Sequence, residues 1–244
     1  MKKILFFILI LIIINGCVIH SENGIIRGFG KKIKGTGNII TKTIDKKDFD
    51  SISVSNAINI KINKENSYGI QVKIDRAFIN YFNAEVKNNT LYLYMKKGYS
   101  YTNINPDISI KMPVLEEIKL SGASDCFINN FEVTDLKLHT SGASDLKGTI
   151  TGENLFIRAS GASDLDLKGK FKYVDINVSG ATDAFIQNIK AEKVDISASG
   201  ASDVKVYASG EVDINLSGAS DLDVYGSPIN EKLSVSGGSD IDFK

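Results

Sequence analysis

From residue 114 onward, apolar and polar positions alternate in short runs that return about every 19 residues. A branched aliphatic residue recurs as Ile118, Leu138, Ile157, Ile176, Ile196, Ile214 and Leu233. The position after it is polar every time: Lys119, His139, Arg158, Asn177, Ser197, Asn215 and Ser234. Two residues further on, each run enters the pentapeptide Ser-Gly-Ala-Ser-Asp or a close variant. An apolar residue then follows directly: Cys126, Leu146, Leu165, Ala184, Val204, Leu222 and Ile241. A period of two is the signature of a strand with one buried face. No stretch of the repeats sustains a 3.6-residue pattern long enough for a helix.

The pentapeptide begins at Ser121, Ser141, Ser160, Ser179, Ser199, Ser217 and Ser236. The fourth copy reads Ser-Gly-Ala-Thr-Asp and the last Ser-Gly-Gly-Ser-Asp. A unit of about 19 residues holds two or three short strands and cannot bury its apolar face alone, so successive units must stack. The fold expected is all-β: a parallel β-helix (β-solenoid), right-handed by analogy with the crossover rule for parallel strands, with about 19 residues per coil. Gly and Ala suit a tight corner, and Ser and Asp suit local bonds to turn backbone. In register, Ser over Ser is expected to form a hydrogen-bonded ladder. Asp125, Asp145, Asp164, Asp183, Asp203, Asp221 and Asp240 should then lie in one line, where like charges about 5 Å apart repel by about 1 kcal/mol per pair in water. Backbone amides, neighbouring lysines or a bound cation must offset that repulsion.

Residues 38–113 are expected to form a divergent N-terminal β segment of the solenoid. Ile52 and Val54, then Ile58, Ile60 and Ile62, alternate with polar residues, as do Ile70, Val72 and Ile74 and then Ile108, Ile110 and Met112. Asn88-Asn89 reads as a hairpin turn. Ser55-Asn56-Ala57-Ile58-Asn59 reads as a degenerate pentapeptide in an atypical opening coil. A short helical turn fits between Arg76 and Phe82.

The beginning of the chain is an address. Lys2 and Lys3 precede an apolar run from Ile4 to Ile14, too short for a permanent membrane span but suited to a signal peptide. It ends in Ile14-Asn15-Gly16-Cys17, which resembles the bacterial lipobox, so residues 1–16 are expected to be a lipoprotein signal peptide and Cys17 the lipidation site. Residues 17–37 would form a flexible tether and residues 114–244 the regular repeats. The residue after the cysteine is Val18 and not Asp, which favours the outer membrane in a two-membrane organism. Several acyl chains, at about 0.8 kcal/mol per buried CH₂, make a durable membrane anchor.

Charge and candidate chemistry narrow the function. The chain has 29 Lys and Arg against 29 Asp and Glu, and loss of Lys2 and Lys3 leaves 27 against 29, which makes no case for nucleic acid. With Cys17 acylated, Cys126 stands alone and no internal disulfide is expected; its slot is otherwise aliphatic, which marks a buried hydrophobe and not a nucleophile. His20 lies in the expected tether. His139 sits at an outward position without a second histidine, so no metal site is expected. Seven equivalent serines without histidine partners are not a catalytic constellation, and no catalytic residue or cofactor is expected. A carbohydrate-active β-helix enzyme would need an asymmetric groove, whereas the outward aromatics of the repeats are few: Phe127, Phe156 and Phe185. A calcium-binding repeat protein is a further alternative, with one motif Asp per coil as its weakness.

Gly35-Thr36-Gly37-Asn38 with Thr41, then Phe49-Asp50-Ser51-Ile52-Ser53-Val54, then Pro113-Val114-Leu115 running into the pentapeptides, resembles the head GIN domain family. The resemblance covers about residues 35–244. Members bear the description putative auto-transporter adhesin and are commonly bacterial lipoproteins. It implies a β-helix-like stack and supplies no catalytic or binding residues. The function expected is a non-catalytic surface or periplasmic lipoprotein in the cell envelope: an adhesin or binding scaffold presenting a repetitive face. Its expected partners are the membrane, through the anchor, and a host, matrix or glycan ligand. A self-assembling structural envelope protein, with copies joined end to end, is the other non-enzymatic alternative.

Overall fold

The computed structural model describes residues 30–244, which form strands and turns without a helix. The N-terminal strands are β1 (Lys31–Lys34), β2 (Ile39–Ile44), β3 (Ser51–Val54), β4 (Asn59–Lys64), β5 (Gly69–Asp75), β6 (Phe82–Lys87), β7 (Thr90–Met95), β8 (Tyr99–Thr102) and β9 (Asp107–Met112). The repeats supply β10 (Glu117–Gly122), β11 (Cys126–Gly142), β12 (Asp145–Ala159), β13 (Asp164–Val178), β14 (Asp183–Ala198), β15 (Asp203–Leu216), β16 (Asp221–Gly226), β17 (Asn230–Val235) and β18 (Asp240–Phe243). Every pairing from β10 to β18 is parallel and joins equivalent positions of neighbouring repeats. The molecule is the expected β-solenoid.

The alternation puts one column of aliphatic side chains inside the stack. Ile118, Leu138, Ile157, Ile176, Ile196 and Ile214 are all at most 2% exposed, and the residues after the motif Asp, from Cys126 to Leu222, form a second buried column. Each such Leu or Ile contributes about 1.5–3 kcal/mol relative to an exposed one. Local bulges absorb the small differences in repeat length. One lies at Asn129-Asn130, where the register of β11 on β12 shifts, and another lies in β14 after Phe185.

The pentapeptide makes the corner, and its Ser hydroxyls bond turn backbone as expected. The fourth residue is the buried one: Ser124, Ser144, Ser163, Thr182, Ser202 and Ser220 have no exposed surface. Their hydroxyls are satisfied locally; Ser144 Oγ donates to the carbonyl of Ser141 (3.2 Å) and Thr182 Oγ1 to that of Ser179 (3.0 Å). The Ala is exposed, and its amide ties coil to coil, as Ala181 N–H donates to Gly161 O at 2.8 Å. No ladder runs from Ser to Ser: Ser121 Oγ donates to Val54 O (3.2 Å) and Ser236 Oγ to Leu216 O (3.3 Å), both backbone carbonyls of the preceding coil. Gly180 shows why the second residue is glycine. Its φ is 88°, and a Cβ there would lie 2.5 Å from Gly161 O.

The N-terminal segment departs from a simple stack. Ser55-Asn56-Ala57-Ile58-Asn59 is the degenerate corner expected, with Asn56 at φ 77° beneath Gly122 and its carbonyl accepting from Ala123 N–H at 3.3 Å. The coil it belongs to, β3 and β4, is not the outermost one. It lies between β10–β11 on one side and β7–β9 on the other, so the order of coils in space is not their order in sequence. Antiparallel strands then close this end: β6 on β7, and β5 followed by β2 on β9. Asn88 and Asn89, at φ 47° and 58°, turn the β6–β7 hairpin as expected. The expected turn after Asp75 is present, with Phe82 N–H donating to Phe78 O at 3.0 Å.

Residues 31–37, expected at the end of a flexible tether, are fixed in the fold. Lys31–Lys34 pairs in parallel with Tyr99–Thr102, and the next residues are bound to Asp75. The Thr36 and Gly37 amides each lie 2.6 Å from Asp75 Oδ2, while Thr36 Oγ1 (3.0 Å) and the Ala77 amide (2.8 Å) donate to Oδ1. The Ala77 amide above all, with those of Gly37 and Thr36, holds this carboxyl below the usual aspartate range against the opposing effect of burial. Cys17, His20 and the signal sequence lie outside the described residues.

Three substitutions test this construction. Gly180→Ala should lower Tm by about 5–10 °C in a melt, because strain at positive φ costs about 1–3 kcal/mol before the clash is added. Ala181→Ser, at the exposed neighbouring position, should leave Tm unchanged. Asp75→Ala should expose residues 31–37 to limited proteolysis while β10–β18 stay protected.

Candidate functional site

The surface is built of columns, because in-register stacking repeats each outward position once per coil. The expected line of aspartates is present: Asp145, Asp164, Asp183, Asp203, Asp221 and Asp240 pair in succession, and Asp125 precedes Cys126, which pairs with Leu146. Two of the expected means of offsetting the repulsion, backbone amides and lysines, are nearly absent. Among the described residues no backbone amide donates to these carboxylates, and Lys147 Nζ comes only to 3.9 Å from Asp145. The carboxyls of Asp145 and Asp183 are therefore pushed above the usual range, first by burial and then by the aspartates on either side. No group of three or more His, Cys, Asp or Glu among the described residues is arranged to hold a metal ion.

A second column runs beside it, two residues along the strands. Lys61 lies 5.6 Å from the ring centre of Phe127 and Lys205 lies 5.3 Å from that of Phe185, both cation–π contacts. Lys205 also approaches Asp223 at 3.6 Å. Phe127 is exposed, and Phe156 and Phe185 are partly so.

On the sheet before the corner, Lys119, His139 and Arg158 stand one above another. Each has an acidic partner. Lys119 Nζ is 2.6 Å from Glu117, whose other oxygen is 3.3 Å from His139 Nε2, and Arg158 forms a two-pronged pair with Asp175 at 2.7 Å for both bonds. Burial holds the His139 imidazole below the usual range despite Glu117. Glu117 and Asp175 were not singled out by sequence reasoning; their spacing from the Ser columns, four residues in each case, was the available signal.

The remaining candidates are structural. Cys126 is fully buried in its aliphatic slot, and burial pushes its thiol far above the usual value, so it carries no thiolate. The buried pentapeptide hydroxyls from Ser124 to Ser220 donate to backbone carbonyls, and His139 is engaged with Glu117, so these groups do not form a nucleophile–base pair.

One concavity breaks the regularity. A groove of about 640 Å³ lies between the Pro113–Glu117 connection and residues 132–135 of β11, with Lys64 and Phe156 among its walls. It lies where the first two coils lack the long return segment that later coils possess.

The putative auto-transporter adhesin, head GIN domain family matches residues 48–228, three quarters of the chain. The chain belongs to this family. A putative adhesin from Bacteroides fragilis NCTC 9343 shares the fold with a TM-score of 0.83 and 23% identity, over 87% of this chain and all of that one. A putative lipid binding protein from Parabacteroides distasonis ATCC 8503 follows at 0.74 and 21%, over 88% and 100%. A putative adhesin from Parabacteroides merdae ATCC 43184 gives 0.70 and 16%, over 88% and 99%. No curated protein matches the chain. Membership is adhesin-like and points to the cell surface or envelope.

The aspartate column sets a pH signature. Asp145 and Asp183 bind protons more readily folded than unfolded, so their repulsion is relieved, and stability gains, as pH falls from neutrality towards the ordinary aspartate range. Asp75 acts with the opposite sign, and its contribution is lost only as pH falls through its own depressed value. Asp183→Asn should therefore raise Tm at pH 7 by about 2–4 °C at low salt, with the gain shrinking in about 0.5 M NaCl. An Asp183→Asn protein no more stable than its parent at low salt would contradict the repulsion.

Proposed function

We propose that this chain is a non-catalytic, lipid-anchored scaffold of the cell envelope that binds ligand through its repetitive solenoid face. The observation carrying the reading is the equivalence of the coils. Each outward position recurs at intervals of about 4.8 Å, so a ligand with its own repeat can make many weak contacts at once. Such avidity suits attachment to a host, matrix or glycan surface. It needs no deep pocket and no pre-organised reactive pair. Family membership supports adhesion, and Ile14-Asn15-Gly16-Cys17 supports the anchor, with Val18 favouring the outer membrane where there are two membranes.

Two measurements test this. Metabolic labelling with palmitate should mark the parent and not Cys17→Ser, and the variant should leave the membrane fraction. A strain lacking the protein should adhere less to immobilised matrix proteins or glycans than its parent; equal adhesion would remove the adhesin reading.

Self-association is a second reading, favoured by one observation. In β17 and β18, Leu233, Val235 and Phe243 are between 42% and 49% exposed, and each strand is paired along one edge only. Against it, Glu231 occupies the inward column held by Val212 in the coil below, a charge that blunts the edge. Light scattering that shows a monomer at all concentrations would dispose of this reading.

A further inference from the structure

β11 is paired on both sides at its two ends but not in its middle. Residues 126–129 pair with β4 and residues 137–142 with β10, while residues 130–136 have no strand on that side among the described residues. On the other side the same stretch is laddered to β12, Phe131 with Ile150 and Asp135 with Asn154. The gap arises from chain length. The chain crosses from β9 to β10 in four residues beginning with Pro113, and β4 ends at Lys64, so neither of the first two coils lays a strand beneath 130–136. The result is a strand edge in the middle of the molecule, opening into the groove of about 640 Å³.

Two observations show the chemistry of what would fill it. The Glu132 carbonyl faces the open side, where Lys64 Nζ donates to it at 3.3 Å, a side-chain cation standing where the N–H of a further strand would stand. The groove walls carry the carboxylates of Glu116, Glu117, Glu132 and Asp135 against the ammonium groups of Lys64 and Lys137, a surplus of negative charge. Val114, half exposed, and Phe156 add apolar surface for alternate side chains.

We propose that the open edge of β11 over residues 130–136 is a docking site for an extended, basic peptide segment of another protein. The segment adds as a strand: its backbone takes the unpaired positions of β11, its Lys or Arg side chains meet Glu116 and Glu132, and its intervening apolar residues cover Val114 and Phe156. Seven open residues leave room for a strand of about four to five residues, within the ordinary range of strand lengths. This goes beyond the adhesin reading and does not depend on it. Ligand held by the repetitive face would remain if this edge were blocked.

The probe is a fluorescein-labelled, capped octapeptide of alternating Val and Lys, titrated into the full chain by anisotropy. A second probe has the same sequence with alternate backbone nitrogens methylated, which keeps the charge and removes the donors. The expected result is saturable binding that weakens at least about tenfold on N-methylation and at least about threefold in Glu132→Lys, with new hydrogen-exchange protection confined to residues 130–136. No saturable binding of the first probe would overturn the proposal. So would equal binding of the two probes, which would mean charge attraction alone, or protection at β17 and β18 in place of β11.

Discussion

Everything in this molecule rests on the close, in-register approach of one backbone corner to the next. A coil can stack in parallel at strand spacing only if its corner carries no side chain on the facing side. Gly180 beneath Gly200 and above Gly161 meets that condition through both its missing Cβ and its positive φ. Once the corners nest, the strand pairings, the buried aliphatic columns and the outward columns all follow from one translation. The same constraint creates the cost: identical residues must lie over one another, and where that residue is Asp, repulsion is built in. Backbone pairing and burial of a large apolar column outweigh it.

Much of this was legible because it is local. Alternation of period two around Ile157 or Ile176, and a pentapeptide that recurs with it, describe a strand and a corner without reference to distant residues. What was not legible depends on partners far along the chain. Gly35-Thr36-Gly37 has the composition of a tether, and only the carboxylate of Asp75, 38 or 39 residues later, makes it a fixed turn. The order of the first coils is likewise invisible to periodicity, since β3 pairs with β7 and β10 and skips its sequence neighbours. Which pentapeptide residue is buried has a physical reason that spacing does not show: a hydroxyl that bonds its own turn can be buried, whereas the Ala amide, and not its methyl, faces the neighbouring coil.

The site followed the same division. The aspartate column could be foreseen from spacing, but its lack of amide or lysine partners could not, because that depends on where neighbouring side chains point. Glu117 and Asp175 became visible only as the partners of Lys119, His139 and Arg158. The open stretch of β11 is the extreme case. It is defined by a strand that two earlier coils do not contain, and no pattern within 130–136 distinguishes it from the equivalent stretches of β12 and β13, which are paired on both sides.

The interleaved coil order has a bearing on how the chain acquires its structure. Beyond β11, each new coil can form on a finished template as soon as its residues are available, one layer at a time. The first layer has no such template. β3 and β4 must wait for β7 and β9 on one side and for β10 and β11 on the other, partners separated from them by tens of residues, so loop closure is paid before any stacking rewards it. The N-terminal third therefore acts as the slow seed of the fold, and the repeats as its rapid growth. Lengthening or shortening the protein by whole coils at the far end would alter the length of the stack and the number of residues in each outward column without touching the step that decides whether it folds.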